Sequence, residues 1–245
     1  MFECTPDVGE QLARAAGHPR TRKTDGPRPA LFEGLLLTHA HMGHYAGLLE
    51  LGREAYAAHA VPTWVTPRFS RFLRENGPWS LLVEAGHIEL HELRSDIEVA
   101  LASDLAVSAF EVPHRDEFSD TVGFVIHGPR RTLVYLPDID KWETWDARAG
   151  PGQLERLLAS ADVALLDGTF FADGEIPGRS MRDIPHPFIV ESLARLNRLA
   201  PSERAKIHFT HLNHTNPAAD EDGDARRAIR AAGMHVLAEG TLFEL

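Results

Sequence analysis

Three histidines fall within six residues in the run Thr38-His39-Ala40-His41-Met42-Gly43-His44, directly after the apolar stretch Leu31 to Leu37. Leu35-Leu36-Leu37 reads as a buried strand, and Gly43, with Gly47 soon after, as the turn into an amphipathic helix. At a strand end His39 and His41 face one side, because strand side chains alternate with a period of two. His44 then reaches back from the turn. Three imidazoles converging on one point suit a borderline divalent metal such as zinc.

Three further apolar strands end in residues able to bind metal. Phe110-Glu111-Val112 leaves its strand through Pro113, which puts His114 at a strand edge. Leu133 to Leu136 runs through Pro137 into Asp138 and Asp140; a carboxylate there would be costly if buried unpaired, so it is expected to meet a cation. Helix capping ahead of Lys141-Trp142 is the alternative for Asp140. Ile207 to Thr210 exits at His211, with His214 competing from the turn-forming run Asn213 to Pro217, while His208 points to the other face.

The run His39 to His44 resembles the HxHxDH signature of the metallo-β-lactamase superfamily, with Gly43 where the family has aspartate. The resemblance implies an α/β four-layer αβ/βα sandwich, with strands missing ahead of Phe2, and a mono- or dinuclear metal site. It implies that His114 completes a first metal site with His39 and His41. His44, a bridging Asp138 and His211 would hold a second, weakened by the loss at Gly43. Finer matches resemble the pyrroloquinoline-quinone biosynthesis protein B branch: Val112 to Phe124, Asp167-Gly168-Thr169-Phe170-Phe171, and Thr210 to Pro217. The cysteine-rich N-terminal zinc segment of that branch has no counterpart in the chain, which suggests a relative rather than the cofactor-pathway protein itself.

The elements that must position these residues follow from periodicity. A strand tail at Phe2 to Asp7 leads to a helix near Val8 to Ala16, and Tyr45 to Ala58 is expected to be helical. A short strand, Pro62 to Val65, precedes a helix over Pro67 to Asn76 with proline in its first turn. Ile88 to Val112 alternates as strands do. Val122 to Ile126 and Thr132 to Leu136 form a hairpin through Gly128 to Arg131. Strands at Val163 to Leu166, Ile207 to Thr210, His235 to Leu237 and Thr241 to Phe243 alternate with helices at Ile189 to Leu199 and Ala225 to Ala232. The pattern suits an α/β layered sandwich in one domain spanning residues 1–245. Asp167 to Gly178 reads as a loop over the site, hinged at Gly168, Gly174 and Gly178, with Glu175 and Arg179 as loop charges.

Bulk properties narrow the function. The chain has 245 residues, 43% of them hydrophobic, enough for a sizeable core. No apolar run approaches the roughly 20 residues of a membrane span, and no secretory pattern opens the chain. A single cysteine, Cys4, excludes an internal disulfide framework and fits a cytoplasmic protein; a small core residue is its expected role. A formal charge of −11 argues against nucleic acid as partner. The basic cluster Arg20 to Lys23 reads as a solvated loop.

The leading expectation is a metal-dependent hydrolase acting on an ester, phosphodiester or related bond of a small molecule. It would use one or two zinc ions, with iron or manganese as alternatives, and no membrane partner; a homodimer stays open. Asp138 would orient the nucleophile, and His214 and His186 are the candidates for proton donor to the leaving group. The rivals are an iron-dependent oxidative enzyme of quinone-cofactor biosynthesis and a non-catalytic metal or small-molecule binding protein.

Overall fold

A computed structural model describes residues 1–17, 32–95, 97–181 and 184–245. The expected basic loop Arg20 to Lys23 lies outside the described residues. The chain divides into two compact units that interleave in sequence: residues 1–94 with 116–120, and residues 95–115 with 121–245.

In the first unit, α1 (Val8–Ala16) buries Val8 and Leu12, one helical turn apart on a single face. It is followed by β1 (Leu35–Leu36), α2 (Met42–Tyr45), β2 (Val61–Val65), α3 (Pro67–Glu75), α4 (Trp79–Glu84) and β3 (Ile88–Glu92). The three strands are parallel in the order β1-β2-β3. Phe2 bridges to Leu36, with Leu36 N donating to Met1 O at 2.9 Å and Glu3 N to Leu36 O at 3.0 Å. The N-terminal residues therefore lie along β1. Helix α3 starts where the Thr66 hydroxyl accepts from Phe69 N (3.3 Å), with Pro67 in its first turn.

The helix expected over Tyr45 to Ala58 is a correction. Helix α2 begins earlier, at Met42, and passes into a 3₁₀ segment, Ala46–Leu51. The cause is a tertiary contact. Cys4 N donates to His44 O at 2.7 Å, so that carbonyl is spent outside the helix, and Gly47 N answers to Cys4 O at 2.9 Å. A Cβ at Gly47 would stand 2.0 Å from Thr5 O, so only glycine permits the approach.

In the second unit, β4 (Glu98–Ala102), β5 (Leu105–Glu111), β6 (Val122–His127) and β7 (Thr132–Leu136) form an antiparallel meander. Helices α5 (Trp142–Ala149) and α6 (Gln153–Ala159) lead to β8 (Val163–Asp167). Then come α7 (Ile189–Leu196), α8 (Pro201–Arg204), β9 (Ile207–Thr210), α9 (Asp224–Ala231) and β10 (His235–Val236). Strands β7, β8, β9 and β10 are parallel, and the sheet order is β10-β9-β8-β7-β6-β5-β4. Two antiparallel steps separate β5 from β7, so the C-terminal ends of β5, β7, β8 and β9 share one sheet edge. That edge carries the site residues of this unit.

Helix α7 shows how the sequence covers the sheet: Ile189, Ser192 and Leu196 are buried at spacings of three and four. Each fully buried aliphatic side chain contributes about 1.5–3 kcal/mol. Trp142, also fully buried, donates from its indole nitrogen to the Ser192 hydroxyl at 2.9 Å. The strand expected over Thr241 to Phe243 does not form, and β10 ends at Val236. Instead Thr241 N donates back to Ala238 O, and Phe243 sets its ring edge-on to His208, with centroids 5.2 Å apart. Ladder bonds there give way to side-chain packing. Among the described residues, no helix is long and apolar enough to cross a membrane.

Candidate metal centre

The first unit gathers its three motif histidines on the loop after β1 (His39 and His41) and in α2 (His44). His39 Nε2 lies 2.8 Å from His41 Nδ1, and the His39 and His44 ring centroids are 4.3 Å apart. His39 and His44 are buried. Their tautomers follow from the groups behind them. The buried Thr38 hydroxyl donates to Glu3 Oε1 at 2.6 Å, so it accepts from His39 Nδ1 at 2.8 Å, and Nε2 of that ring carries the lone pair. Glu3 Oε1 also faces His44 Nδ1 at 3.4 Å, which favours the lone pair of His44 on Nε2 too. Behind His41, Glu117 Oε2 stands 3.1 Å from Nε2. All three rings are thus backed by oxygen acceptors, an arrangement that orients imidazoles as ligands.

Sequence reasoning missed Glu3. It is buried at 4% exposure and sits in the left-handed region at φ 61°, strained for a residue with a Cβ. Only the pairing of residues 1–3 along β1 brings it to a motif 35 residues away. Cys4, next to it, is the expected core residue: burial foremost, then the charges of Glu3 and Glu50, push its thiol up to about 12. At Gly43, a Cβ would meet no atom within 4 Å, so a side chain can start there without a clash.

The second unit builds its cluster around a carboxylate. Asp138 is buried just past β7. His114 Nε2 (3.8 Å) and His186 Nδ1 (3.4 Å) face its Oδ1, and His211 Nε2 (3.4 Å) faces its Oδ2. One ligand atom from each of His114, Asp138 and His186 falls within a 4.8 Å span. Asp140 N donates to Pro113 O at 2.7 Å and ties the exits of β5 and β7 together. The Asp140 carboxylate instead accepts from Lys141 N (2.7 Å).

Asp167, fully buried at the end of β8, organises this cluster from behind. It accepts from Ile139 N (3.1 Å), Thr169 N (2.9 Å), the Thr169 hydroxyl (2.7 Å) and His186 Nδ1 (2.8 Å). Because the Thr169 proton goes to Asp167, that hydroxyl accepts from His211 Nδ1 at 2.9 Å, and His211 Nε2 carries the lone pair. A lone pair and a carboxylate oxygen then face each other at 3.4 Å. Such a pair calls for a cation or a proton between them. For His186, burial works against protonation, but the charge and hydrogen bond of Asp167, aided by Asp138, outweigh it, and Arg115 opposes them weakly; the net direction is up.

His211 occupies the left-handed region at φ 60°, directly after β9. The run after it is pinned to the Asp167 turn: Asn216 Nδ2 donates to Gly168 O (2.7 Å) and Asn213 N to Thr169 O (3.0 Å). His214 is exposed and, among the described residues, joins neither cluster. The Asp167 to Gly178 segment has left-handed glycines at Gly174 and Gly178. Glu175 closes the turn by accepting from the backbone N–H groups of Phe171 and Ala172, and Arg179 is exposed. Phe170, Met181, Ile184 and Phe188 form a small apolar plug, with Phe170 edge-on to His186 at 6.0 Å.

A family model, the beta-lactamase superfamily domain, matches residues 1–209. The coenzyme PQQ synthesis protein B of Methylobacterium nodulans is 30% identical over 268 residues, covering 100% of this chain and 83% of the relative. The chain belongs to the metallo-β-lactamase superfamily, in the PQQ synthesis B branch. The Azoarcus sp. protein of the same name is 28% identical over 272 residues, with the same coverage. Among solved structures, zinc-bound PqqB from Methylobacterium extorquens matches with TM-score 0.80 at 22% identity, covering 100% of this chain and 82% of that one. A diphosphatase of the PhnP family matches with TM-score 0.65 at 19% identity, covering 100% and 79%. The fold is therefore the metallo-β-lactamase fold, and its histidine and aspartate donors fit a divalent metal by their chemistry: neutral imidazole nitrogens carrying lone pairs, and a buried carboxylate.

Proposed function

We propose that the chain is a metal-dependent hydrolase of a small molecule carrying an ester, phosphodiester or related bond. His39, His41, His44, His114, Asp138 and His211 would together hold one or two divalent ions, zinc foremost, with iron or manganese as alternatives. The observation that carries this reading is the pairing of oriented imidazoles with a buried carboxylate, Asp138, whose Oδ2 faces the His211 Nε2 lone pair. When bound, the metal supplies Lewis acidity and lowers the pKa of water from about 15.7 to about 7. The protein's own residues do the rest. Asp138 orients the nucleophile. Asp167 holds His186 through Nδ1, which leaves Nε2 as the atom that hands a proton to the leaving group. His214, exposed and unbonded among the described residues, is the weaker candidate for that step.

A panel of chromogenic phosphodiesters, esters and lactams, assayed before and after chelation and with zinc, iron or manganese restored, tests the reading. Turnover that is abolished by chelation and restored by one metal is expected. Turnover that survives chelation contradicts it. A second reading starts from the relatives' name, a role in PQQ synthesis, and takes that role to be an oxidative step with iron on the same ligands. Oxygen uptake by the iron-loaded protein, with an inactive zinc form, would select that reading.

A further inference from the structure

Residues 116–120 interrupt the second unit in sequence yet belong to the first, where they lie on the histidine loop. Arg68 fastens them by donating to Asp116 O at 2.7 Å and by ion pairs to Asp116 (3.6 Å) and Asp120 (3.9 Å). Phe118 rests on Phe72, ring centroids 5.1 Å apart. The buried Ser119 hydroxyl accepts from Ala40 N at 2.7 Å, on the peptide between His39 and His41. Glu117 is held between these anchors, and its Oε2 meets His41 Nε2 at 3.1 Å.

His41 is the motif histidine for which a backing partner matters most. His39 and His44 are buried and share Glu3 and Thr38 behind them, whereas the His41 side chain is 21% exposed. Without a partner on Nε2, its ring could present either nitrogen. A carboxylate there fixes the proton on Nε2, turns the Nδ1 lone pair to the side on which His39 Nε2 lies, and raises the basicity of the ring. The motif has no carboxylate at Gly43; Glu117 brings one to His41 from a separate segment.

We propose that Glu117 is a positioning residue that sets the His41 tautomer for metal binding. The proposal rests on the reading of His41 as a ligand. The full chain, wild type and variant, is titrated with zinc against a chromophoric chelator. Glu117→Ala is expected to weaken the tightest site about 10- to 100-fold. Glu117→Gln, whose amide oxygen still accepts from Nε2, is expected to recover part of that loss. The unfolding midpoint of the metal-free protein is expected to stay unchanged, because the Glu117 side chain is half exposed. Glu75→Gln, which removes an exposed charge of the same unit outside the anchors of Glu117, is expected to bind zinc as wild type does. Wild-type affinity in both Glu117 variants overturns the proposal, as does an equal loss in Glu75→Gln. A wild-type chain that binds no zinc overturns the ligand reading itself, a result separate from either of these.

Discussion

The two units solve one problem in opposite ways. The first places three imidazoles at the front and keeps its carboxylates, Glu3 and Glu117, behind them. The second places a carboxylate, Asp138, among three imidazoles and keeps a second one, Asp167, at the back. In each, a threonine hydroxyl hands its proton to the rear carboxylate and takes one from a histidine Nδ1: Thr38 for His39, Thr169 for His211. The repeated relay means that the fold's own hydrogen bonds orient both histidines.

The comparison can be broken most sharply at Asp167. In Asp167→Ala, two backbone N–H groups, the Thr169 hydroxyl and His186 lose one buried acceptor. A loss of about 3–5 kcal/mol is expected in denaturant unfolding of the metal-free protein. Glu3→Ala removes the acceptor behind Thr38 and beside His44. It is expected to cost about 1–3 kcal/mol and, in zinc competition, about 10- to 100-fold in affinity. A Glu3 variant as damaging to the metal-free fold as the Asp167 variant would mean that the two rear carboxylates carry equal structural weight.

Acid should separate the units further. His208 stacks on His235, centroids 4.9 Å apart, and burial first, then the His235 charge, lower its pKa to about 4. Since the folded value lies below the ordinary 6.5, protons favour the unfolded chain. The contribution is complete above about pH 6.5 and fades as the pH falls toward 4. After allowance for solvent screening it amounts to about 1 kcal/mol. His208→Phe is expected to flatten that part of the stability–pH curve, measured by denaturation between pH 7 and pH 4. The smallest effect is expected at Gly43. With open space around its Cβ position, Gly43→Asp should alter stability by no more than about 0.5 kcal/mol while tightening the weaker metal site, read from zinc bound per chain.

What the sequence made legible follows the same division. His39, His41 and His44 fall within six residues, so spacing alone announces them. His114, Asp138 and His211 are scattered, but each ends an apolar strand, and the register of β5, β7 and β9 brings those ends to one sheet edge. The rear groups carry no such signal. Glu3 depends on residues 1–3 lying along β1, Glu117 on a five-residue excursion, and Asp167 on hydrogen bonds that no local pattern encodes. The helix expected at Tyr45 to Ala58 failed for a related reason: Cys4 takes the His44 carbonyl. Helices α5 and α6 went unread because Gly150-Pro151-Gly152 splits them into pieces of eight and seven residues, too short for a helical period to stand out.

Metal content per chain in purified protein, by elemental analysis of wild type, His41→Ala and His114→Ala, tests the central claim most directly. With the proposed ligand set, wild type carries one or two divalent ions per chain, and either substitution alone lowers the count. Full metal content in both variants, or none in wild type loaded with zinc and iron, would contradict it.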